Sequence, residues 1–599
     1  MKTRKIKSPQ KADNGIPVQG VESPATPQPL LKNTRMVTAL WYLAAGITFW
    51  SFGYTMMRGS DLWWHIATGR LIYESRSLPL VDSWSFTRQG QPWLQHEWLA
   101  DFIYQIWGNL FGVSSLVYWK WLMVISTFGL LLYTIRRWVK DPLSSYLAVL
   151  FGIATATPFL DIRPHLYSLL GFALLLFFGL PKNFPRFLPL LFLVWVNLHG
   201  GFFFGLLVLV IILGVEIYKT GLVNNRKPIL IFASCVIACF LNPNGLRAFT
   251  YPLKYAFDKN SPFAIAIDEW QSPFQAGGIH SLLYPYMIGV FILSGFFILV
   301  SKTYRKEKGL PVAELLLGLL TLMMSLTSRR FIPLLAMAQS LVVAPVMAYL
   351  FATQWQKVPQ FIFPTIATLI GFLWLAPYPH TARAFHYLVA EDNFPVETCN
   401  FIETNQLEGK VFAYFNWGGY LHYRTKGRMK VFIDGRADTV FDDQTLIRYS
   451  MVQGFRQGWE DIIESSGAQY ILFPRNQEGK PLAQLISSGR WRLLYDDAVS
   501  VLLVRATEAP LPQIQATGDS AYKRLASGIR NLERQAYAEA EKDLQSALEL
   551  QADLRLAGYS LVQTQLSAGE KEKARASLNH CQKLFPDSQM LRAYEKLLP

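Results

Sequence analysis

The sequence predicts a polytopic α-helical membrane protein that is followed by a small α/β domain and an all-α repeat tail. Three observations carry this prediction. Hydrophobic residues make up 51% of the 599 residues and charged residues only 17%, which is too apolar for a soluble chain of this length. About eleven apolar runs, most of them near the length of a membrane span, follow residue 36. Near residue 378 these runs give way to alternating strand and helix patterns.

The membrane part is predicted to follow a basic tail. Residues 1–35 are rich in Lys, Pro, Gln and Ser, which predicts a disordered tail on the cytoplasmic side. The run 36–57 is long enough to span a membrane and lacks a small-residue cleavage site, so we expect a retained signal anchor. The transmembrane domain, residues 36–377, has further predicted spans at 115–135, 143–160, 165–180, 186–199, 201–218, 228–241, 283–301, 311–326, 331–351 and 360–377.

Basic residues mark one side of this domain. Lys and Arg concentrate at 136–140, 182–186, 219–227 and 302–308, which all fall on the side of the N-terminal tail. The pattern predicts a cytoplasmic N terminus and, with an odd number of spans, places everything after residue 377 on the outer side. It also accounts for the formal charge of +15 without nucleic acid, which we do not expect as a partner.

The first outer loop, residues 58–114, is unusually long and carries an acid near each end. Asp61-Leu-Trp-Trp-His65 follows the first span, and His96-Glu97-Trp98 comes about 30 residues later. Apolar residues from Leu99 to Leu110 then follow a helical stripe, which predicts an amphipathic helix lying in the membrane interface. The loop is therefore interpreted as a helical platform on the membrane.

The other loops on this side are poor in Lys but hold unusual polar residues. Charged groups at membrane depth are costly and persist mainly where they line a wet cavity or meet a ligand. Arginine on this side departs most strongly from the charge distribution that the topology predicts. A bound phosphate would explain it, because the guanidinium fork matches phosphate oxygens. The clusters are Asp161, Arg163 and His165; Asn197 and His199; Asn242 and Asn244; Asp268, Glu269 and Trp270; and Arg329 and Arg330.

Each of these clusters also has a purely structural interpretation. His199 beside two glycines fits a hydrogen-bonded helix end, and Asn242 begins a turn sequence. Glu269 and Trp270 fit an interfacial anchor, and the arginines fit side chains that reach for lipid headgroups. The concentration of such clusters on one side favours a shared site over independent accidents.

These features resemble the GT-C superfamily of polyprenol-phosphate-dependent glycosyltransferases. Its members include protein O-mannosyltransferases, the lipid A aminoarabinose transferase and oligosaccharyltransferase. The resemblance covers about residues 36–380 and rests on the Asp-x-x-x-His of the first outer loop, the interfacial helices, the number of spans and the soluble outer domain. It implies that Asp61 is the general base or positions the acceptor, and that arginines of the outer loops hold the lipid phosphate.

The resemblance implies an enzyme at the outer face of a bacterial inner membrane. It would move a sugar from a polyprenyl-phosphate donor to a glycan, lipid or protein acceptor. The competing hypothesis is a non-catalytic membrane scaffold, or a glycan- or lipid-binding component of a surface-polysaccharide assembly system. A transporter is disfavoured because no charged residues are evident at mid-span positions, where coupling sites usually lie.

The residues quoted above divide into two predicted roles. The candidates for catalysis are Asp61, His65 and Glu97. The candidates for substrate binding are Trp63, Trp64, His96, Trp98, Asp161, Arg163, His165, His199, Asn242, Glu269, Trp270, Arg329 and Arg330. Many relatives carry a second acid in this loop beside the first, whereas Leu62 follows Asp61 here. A divalent metal is therefore only weakly supported, because such sites usually need two or more oxygen ligands.

Residues 378–507 predict a small α/β domain on the outer side. Its polar loops Trp417–Tyr420 and Val431–Asp438 follow predicted strands, the usual place for ligand contacts in an open sheet. Within the second loop, Asp434 and Arg436 either contact an acceptor or pair with each other to hold a turn.

A linker at residues 508–519 leads to a helical tail, residues 520–599. Ala540 and Ala574 lie 34 positions apart, as do Leu544 and Leu578, and this spacing is typical of tetratricopeptide repeats. The tail predicts either a docking surface for a protein partner or packing against the α/β domain.

Overall fold

The structure of the chain is a computed structural model that describes residues 34–53, 59–180, 184–257, 260–355, 357–375, 394–475, 480–507, 518–585 and 588–598. Most of the predicted basic tail and of the predicted linker lies outside the described residues. The helices before residue 376 are α1 Thr34–Gly53, α2 Asp61–Ser75, α3 Trp98–Phe111, α4 Leu116–Arg136, α5 Pro142–Ala156, α6 His165–Gly179, α7 Leu188–Leu198, α8 Phe202–Thr220, α9 Arg226–Cys239, α10 Arg247–Phe257, α11 Pro262–Ala266, α12 Tyr284–Val300, α13 Lys302–Lys308, α14 Val312–Thr327, α15 Ile332–Trp355 and α16 Ile362–Leu375.

Apolar helices make this a multi-pass membrane protein. Within the described residues, five helices are long and apolar enough to cross a membrane, or six if α12 and α13, bent by 85° at their junction, form one span. Four shorter apolar helices accompany them: α6, α7, α14 and α16. Every predicted apolar run overlaps a helix, yet a helix of about 15 residues is only about 22 Å long, which is short of a 30 Å hydrocarbon core. The count of about eleven crossings therefore stays a prediction.

Helices α5 and α15 pack at backbone distance. A Cβ atom on Gly152 of α5 would lie 2.4 Å from the carbonyl oxygen of Ala336 of α15, so only glycine permits this approach. Gln339 Nε2 donates to the carbonyl oxygen of Ala148 at 2.9 Å, and Ser340 Oγ donates to the same oxygen at 3.1 Å. Small residues and interhelical hydrogen bonds are what hold helices together where the surrounding lipid is as apolar as the helices themselves.

The close approach gives a testable stability effect. We expect Gly152→Ala to lower the thermal unfolding midpoint of the detergent-purified protein, because the added methyl group clashes with backbone rather than with a flexible side chain. Overpacking of this kind costs about 1–3 kcal/mol. Gly129→Ala on α4 is the matched control, because no atom lies within 4 Å of its added Cβ. Equal midpoints for the two variants would contradict the packing argument.

The segment between α1 and α4, residues 59–115, is called the first loop below. It contains helices α2 and α3, which form a platform. They also touch through backbone, because a Cβ on Gly69 of α2 would lie 2.1 Å from the carbonyl oxygen of Asp101 of α3. Helix α2 begins at Asp61 itself, so this carboxylate sits in the first turn, where the helix dipole favours negative charge.

A five-stranded sheet follows the membrane helices, and residues 394–507 are called the sheet domain below. Its elements are α17 Val396–Thr404, β1 Gly409–Ala413, α18 Gly418–Thr425, β2 Met429–Val431, α19 Asp443–Gln453, α20 Trp459–Ser465, β3 Tyr470–Pro474, α21 Lys480–Ser487, β4 Trp491–Asp496 and β5 Ser500–Arg505. The strand order is β2-β1-β3-β5-β4, with β1 parallel to β2 and β3, and β5 antiparallel to β3 and β4.

The first loop joins the edge of this sheet. Phe86 N donates to the carbonyl oxygen of Val431 at 3.1 Å, and Val431 N donates to that of Trp84 at 3.1 Å. Thr87 Oγ1 adds a 2.6 Å bond to the carbonyl oxygen of Phe432. The pairing covers the free edge of β2 and fixes the sheet domain over the first loop.

A buried arginine locks the same junction. Arg436 of the sheet domain donates from Nη1 to Asp82 of the first loop at 2.6 Å and from Nη2 to Asp434 at 2.8 Å. Its guanidinium carbon lies 5.1 Å from the ring centre of Trp84 and 4.7 Å from that of Trp93. The sequence leaves two interpretations open for Asp434 and Arg436: contact with an acceptor, or a mutual pair that holds a turn. The contacts in the structure correspond to the mutual pair.

The tail consists of helices α22 Ala521–Glu533, α23 Tyr537–Leu550, α24 Arg555–Ser567, α25 Lys571–Leu584 and α26 Gln589–Glu595. Ala540 and Ala574, the two alanines that lie 34 positions apart, are both 0% exposed. One ion pair leads back to the sheet domain, where Arg530 Nη1 lies 3.3 Å from Asp496 Oδ2.

Candidate active site

Asp61 lies in an ion cluster with two residues that are distant in sequence. Arg163, in the loop between α5 and α6, donates through Nη2 to Asp61 and through Nη1 to Glu269. Glu269 belongs to the short turn Asp268–Trp270 between α11 and α12. The three side chains keep between 19% and 25% exposure, so the cluster is accessible from outside the protein.

The charges in this cluster stabilise one another. Burial opposes the ionisation of Arg163, but Asp61 and Glu269 outweigh it and raise the pKa of the guanidinium. Burial likewise opposes the ionisation of Glu269, and Arg163 together with Arg330 lowers its pKa below the ordinary range. Glu269 and Arg163 are therefore both charged at neutral pH.

Asp161 holds the backbone beside this cluster. Its Oδ2 accepts from Gly59 N at 2.7 Å, and its Oδ1 accepts from Ile162 N at 2.8 Å. The carboxylate thus ties the chain just before Asp61 to the loop that carries Arg163.

A second cluster surrounds Glu97, which precedes α3. Glu97 Oε1 lies 3.8 Å from His96 Nε2 and 3.7 Å from His199 Nε2. Arg330 Nη2 lies 3.2 Å from the same His199 nitrogen. Arg330 also stacks on Trp270, with its guanidinium carbon 4.8 Å from the ring centre, and Trp270 is the neighbour of Glu269 in the first cluster. The two clusters are therefore continuous.

The hydrogen bonds of His199 determine which nitrogen carries its proton. Gly201 N donates to Nδ1 at 3.0 Å, and a backbone N–H can only donate, so Nδ1 is an acceptor. Ser168 Oγ, 2.7 Å away, is oriented by a 2.8 Å bond from Trp195 Nε1 and donates to the same nitrogen. Burial keeps the pKa of His199 well below its ordinary value, so the ring is neutral with its proton on Nε2. His199 Nε2–H and the guanidinium N–H of Arg330 are therefore both donors and cannot bond to each other. A ligand oxygen that accepts from both would satisfy them.

The two neighbouring arginines have different surroundings. Arg329 is 0% exposed, pairs with Asp268, and donates to the carbonyl oxygens of Ser272 at 3.2 Å and Gln275 at 2.7 Å. It therefore fixes the loop that carries Glu269. Arg330 is half-buried and, among the described residues, forms no ion pair with a carboxylate.

The pKa of Glu97 provides a pH test with a defined sign. Burial raises this pKa, and His96 and Arg330 only partly offset the effect. A carboxyl whose pKa is raised in the folded state binds protons more tightly in the folded protein than in the unfolded chain. The free energy of unfolding therefore falls as pH rises from about 4.5 through the folded-state pKa. We expect Glu97→Gln to be more stable than wild type at pH 7 and equally stable at pH 4. The gain in the free energy of unfolding at pH 7 should be about 1.4 kcal/mol for each tenfold difference in the proton affinity of Glu97 between the folded and unfolded states.

Glu269→Gln is the matched comparison for this measurement. The pKa of Glu269 is lowered, so its charge contributes stability above the unfolded pKa, and that contribution is lost as pH falls through the folded pKa. We expect this variant to be less stable than wild type at pH 7. Unfolding midpoints of both variants between pH 4 and 8 check the two signs, and shifts of the same sign would contradict the assignment.

His65 lies beneath the site. It is 2% exposed, and its Nδ1 lies 2.5 Å from Oδ1 of the fully buried Asp101. Gln95 Nε2 donates to the other carboxyl oxygen at 2.7 Å. Burial lowers the pKa of His65 and raises that of Asp101, so the pair is neutral and shares one proton. The structure thus places this predicted catalytic residue below the surface, where it supports the turn that carries Asp61.

The tryptophans of the first loop face the sheet domain. Trp63 packs edge-on against Tyr420, with ring centres 5.0 Å apart, and also contacts Tyr423 at 5.0 Å. Trp64 is 7% exposed and stacks on His65, with ring centres 3.6 Å apart. Trp64 also lies against the sheet domain, because a Cβ atom on Gly419 would be 3.1 Å from the Cβ of Trp64. Both tryptophans therefore contribute to domain docking.

The remaining predicted residues support neighbouring loops. Trp98 Nε1 donates to Asn197 Oδ1 at 2.7 Å, and Asn242 Nδ2 donates to the same oxygen at 3.2 Å. His165, the first residue of α6, has its Nε2 2.8 Å from the carbonyl oxygen of Phe159 in the preceding turn. These bonds join the ends of α3, α7 and α9 around the second cluster.

Sequence reasoning missed the approach of Gly435, in the sheet domain, to Asp61. A Cβ atom on Gly435 would lie 3.0 Å from Asp61 Oδ1 and 3.4 Å from Trp64 Nε1. Glycine therefore lets the sheet-domain backbone close over the carboxylate. The polar loop at residues 431–438 was the available signal, but no spacing rule links it to a residue some 370 positions earlier.

The donor set does not favour a metal at this site. The described residues contain no group of three or more His, Cys, Asp or Glu side chains arranged to hold an ion. The carboxylates of Asp61 and Glu269 are instead bridged by the guanidinium of Arg163, which occupies the place where a cation would bind.

Comparisons with known proteins were made at the levels of sequence and structure. No protein-family model matches the sequence, and no curated protein matches it significantly. Among solved structures, the apo oligosaccharyltransferase of Archaeoglobus fulgidus is 12% identical, with a TM-score of 0.47 over 76% of this chain and 71% of that chain. ArnT from Cupriavidus metallidurans bound to undecaprenyl phosphate is 11% identical, with a TM-score of 0.44 over 81% of this chain and 100% of that chain. Both of these solved structures are polyprenol-phosphate-dependent glycosyltransferases of the GT-C superfamily, the superfamily that the sequence of this chain resembles.

Proposed function

We propose that this chain transfers a sugar from a polyprenyl-phosphate donor to an acceptor hydroxyl or amine at the outer face of the membrane. One observation carries the proposal. Asp61, Arg163, Glu269, Trp270, Arg330, His199 and Glu97 form a continuous series of contacts. An acid, a cation that has no carboxylate partner among the described residues, a neutral donor and an aromatic face therefore share one site, and these are the groups that the reaction needs.

Arg330 and His199 are assigned to the donor phosphate. The guanidinium of Arg330 has no carboxylate partner among the described residues, and His199 Nε2–H lies next to it. A phosphate oxygen between them would accept from both, which stabilises the negative charge that develops as polyprenyl phosphate leaves. The distance from His199 Nε2 to Glu97 Oε1, 3.7 Å, is too long for a hydrogen bond that would compete.

Asp61 is assigned to the acceptor. The acceptor oxygen or nitrogen attacks the anomeric carbon, the bond from that carbon to the phosphate oxygen breaks, and Asp61 takes the acceptor proton. Attack on the face opposite the departing phosphate inverts the anomeric centre. The role of Arg163 is to hold the side chains of Asp61 and Glu269 in place, because its guanidinium pairs with both carboxylates at once.

The proposal includes the topology that places this site outside. We infer a cytoplasmic N terminus in a bacterial inner membrane, about eleven crossings that include the shorter helices, and an outward-facing α/β domain over the first loop. The separation of the basic loops from the site supports this orientation, because Lys302, Lys306 and Lys308 lie in α13, away from all of the clusters described above. The tail of repeats is proposed to dock a protein partner.

Purified protein in liposomes tests the function directly. With a labelled polyprenyl-phosphate sugar and a panel of glycan, lipid and peptide acceptors, we expect acceptor-dependent release of polyprenyl phosphate. Arg330→Gln should raise the KM for the donor about tenfold or more, because charge-assisted bonds to phosphate contribute about 1.5–3 kcal/mol each. Saturable donor binding with no release for any acceptor would instead favour the non-catalytic, lipid-binding alternative.

A further inference from the structure

We propose that the end of the helix bundle remote from Asp61 binds one anionic phospholipid, whose phosphodiester is held by Arg136, Arg137 and Lys140. This site is separate from the proposed transfer reaction and does not depend on it. The evidence is a cavity, its charge, and its position along the helices.

A cavity of about 440 Å³ lies between α1, α4, α5, α15 and α16. This volume falls in the range of small-molecule sites. One wall is aromatic and apolar and includes Trp41, Tyr42, Tyr133 and Phe363. The other wall contains the three cations.

The cavity is far from the candidate active site. Its wall includes Val37 and Trp41 near the start of α1, whereas Asp61 follows the other end of that helix. Twenty helical residues extend about 30 Å, which is one hydrocarbon thickness. A molecule in this cavity therefore sits at the opposite membrane surface, among the basic loops.

The three cations lie close together in sequence at the turn between α4 and α5, and the two arginines are held there by backbone carbonyl oxygens. Arg136 Nη1 donates to the carbonyl oxygens of Val139 at 3.2 Å and Lys140 at 2.6 Å, which fixes the guanidinium at the turn between α4 and α5. Arg137 is exposed, and it donates from Nη1 to the carbonyl oxygen of Phe177 at 3.2 Å, which leaves its other guanidinium N–H groups for a ligand. Lys140 is also exposed. The one acid among the lining residues is Asp141, and its carboxylate is engaged in capping α5, where it accepts from Ser144 N at 2.8 Å and Ser144 Oγ at 2.5 Å.

The chemistry of the walls identifies a phospholipid. A phosphodiester matches the cations, and acyl chains match the aromatic wall, where Tyr42 and Tyr133 are 48% and 47% exposed. The chain's own N-terminal segment is a poor occupant, because residues 1–35 are rich in Lys and the cavity is basic.

Lipid titrations of the full-length protein in neutral detergent test the proposal. We expect one phosphatidylglycerol per chain by native mass spectrometry, and a higher unfolding temperature with phosphatidylglycerol than with phosphatidylcholine. The variant R137Q/K140Q, which leaves the backbone bonds of Arg136 in place, should bind phosphatidylglycerol at least tenfold more weakly. The control K306Q/K308Q removes the same charge from exposed positions of α13 and should bind like wild type.

Four results would overturn the proposal. They are equal binding of the two phospholipids, an equal loss in the α13 control, equal binding of glycerol phosphate without acyl chains, and displacement of phosphatidylglycerol by stoichiometric undecaprenyl phosphate. The third result would indicate a site for soluble anions, and the fourth a site for the donor lipid. Failure of sugar transfer would leave these binding measurements unchanged, so the two proposals are tested separately.

Discussion

Replacement of Asp61 by Asn is expected to lower kcat for sugar transfer by about 10²–10⁴-fold, the usual contribution of a general base. Asparagine keeps the size of the side chain and a hydrogen-bond acceptor for Arg163, but it cannot take a proton from the acceptor. Donor affinity should change little, because the groups assigned to the phosphate, Arg330 and His199, lie in the second cluster. Initial rates at saturating donor, together with a separate donor-binding titration, measure the two effects.

Two comparisons separate this role from a purely electrostatic one. Glu269→Gln removes the other carboxylate on Arg163 but no proposed base, so we expect a smaller fall in kcat than for Asp61→Asn. Asp519→Asn, at the end of the linker, removes an exposed acid that pairs with Arg524 of the tail and should leave the rate unchanged. If the Asp61 and Glu269 variants lose the same rate, Asp61 acts as a counter-ion of Arg163. A wild-type kcat for Asp61→Asn would remove this residue from the chemistry.

Replacement of Arg436 by Gln is expected to release the sheet domain from the first loop. The guanidinium is 0% exposed, as are both of its carboxylate partners, Asp82 and Asp434. Burial opposes the charge on Asp434, but Arg436 and the hydrogen bond from His422 hold its pKa below the ordinary range. Removing the arginine leaves two buried carboxylates without their cation, and breaking a buried pair in this way costs about 3–5 kcal/mol.

Lysine should not restore the interface. Its ammonium group cannot bond to Asp82 and Asp434 through a planar fork, and it cannot fill the space between Trp84 and Trp93 in the same way. Thermal unfolding and limited proteolysis of Arg436→Gln and Arg436→Lys check this expectation. Arg490→Gln is the control, because this side chain is 48% exposed and its pair with Glu460 should contribute only about 0–1 kcal/mol. Equal shifts for the Arg490 and Arg436 variants would contradict the locking role.

Release of the sheet domain should also affect catalysis. Gly435 follows Asp434 directly and lies against Asp61, so the backbone that covers the site is held by the Arg436 network. We therefore expect the Arg436 variants to lose sugar transfer along with stability.

Part of the candidate site was predictable from the sequence. Asp61, Glu97, Arg163, Glu269 and Arg330 are charged residues in loops between apolar runs, and the cost of charge at membrane depth makes each of them conspicuous. Their division into roles was not predictable. Arg329 and Arg330 are adjacent in sequence, yet one is buried in a loop and the other lies on Trp270. Only the direction of each side chain, set by the turn between α14 and α15, separates them.

By itself the sequence determined the class of the protein, since apolar runs and basic loops follow from hydrophobic transfer and charge, which act locally along the chain. It also located the first loop and its acids. Only the tertiary structure decided what each group touches: Arg163 between Asp61 and Glu269, His65 on buried Asp101, and Gly435 over Asp61. The physical reason is that an ion pair or a backbone contact depends on distance in space, and residues that lie from 36 to more than 100 positions apart leave no periodic signal of their meeting.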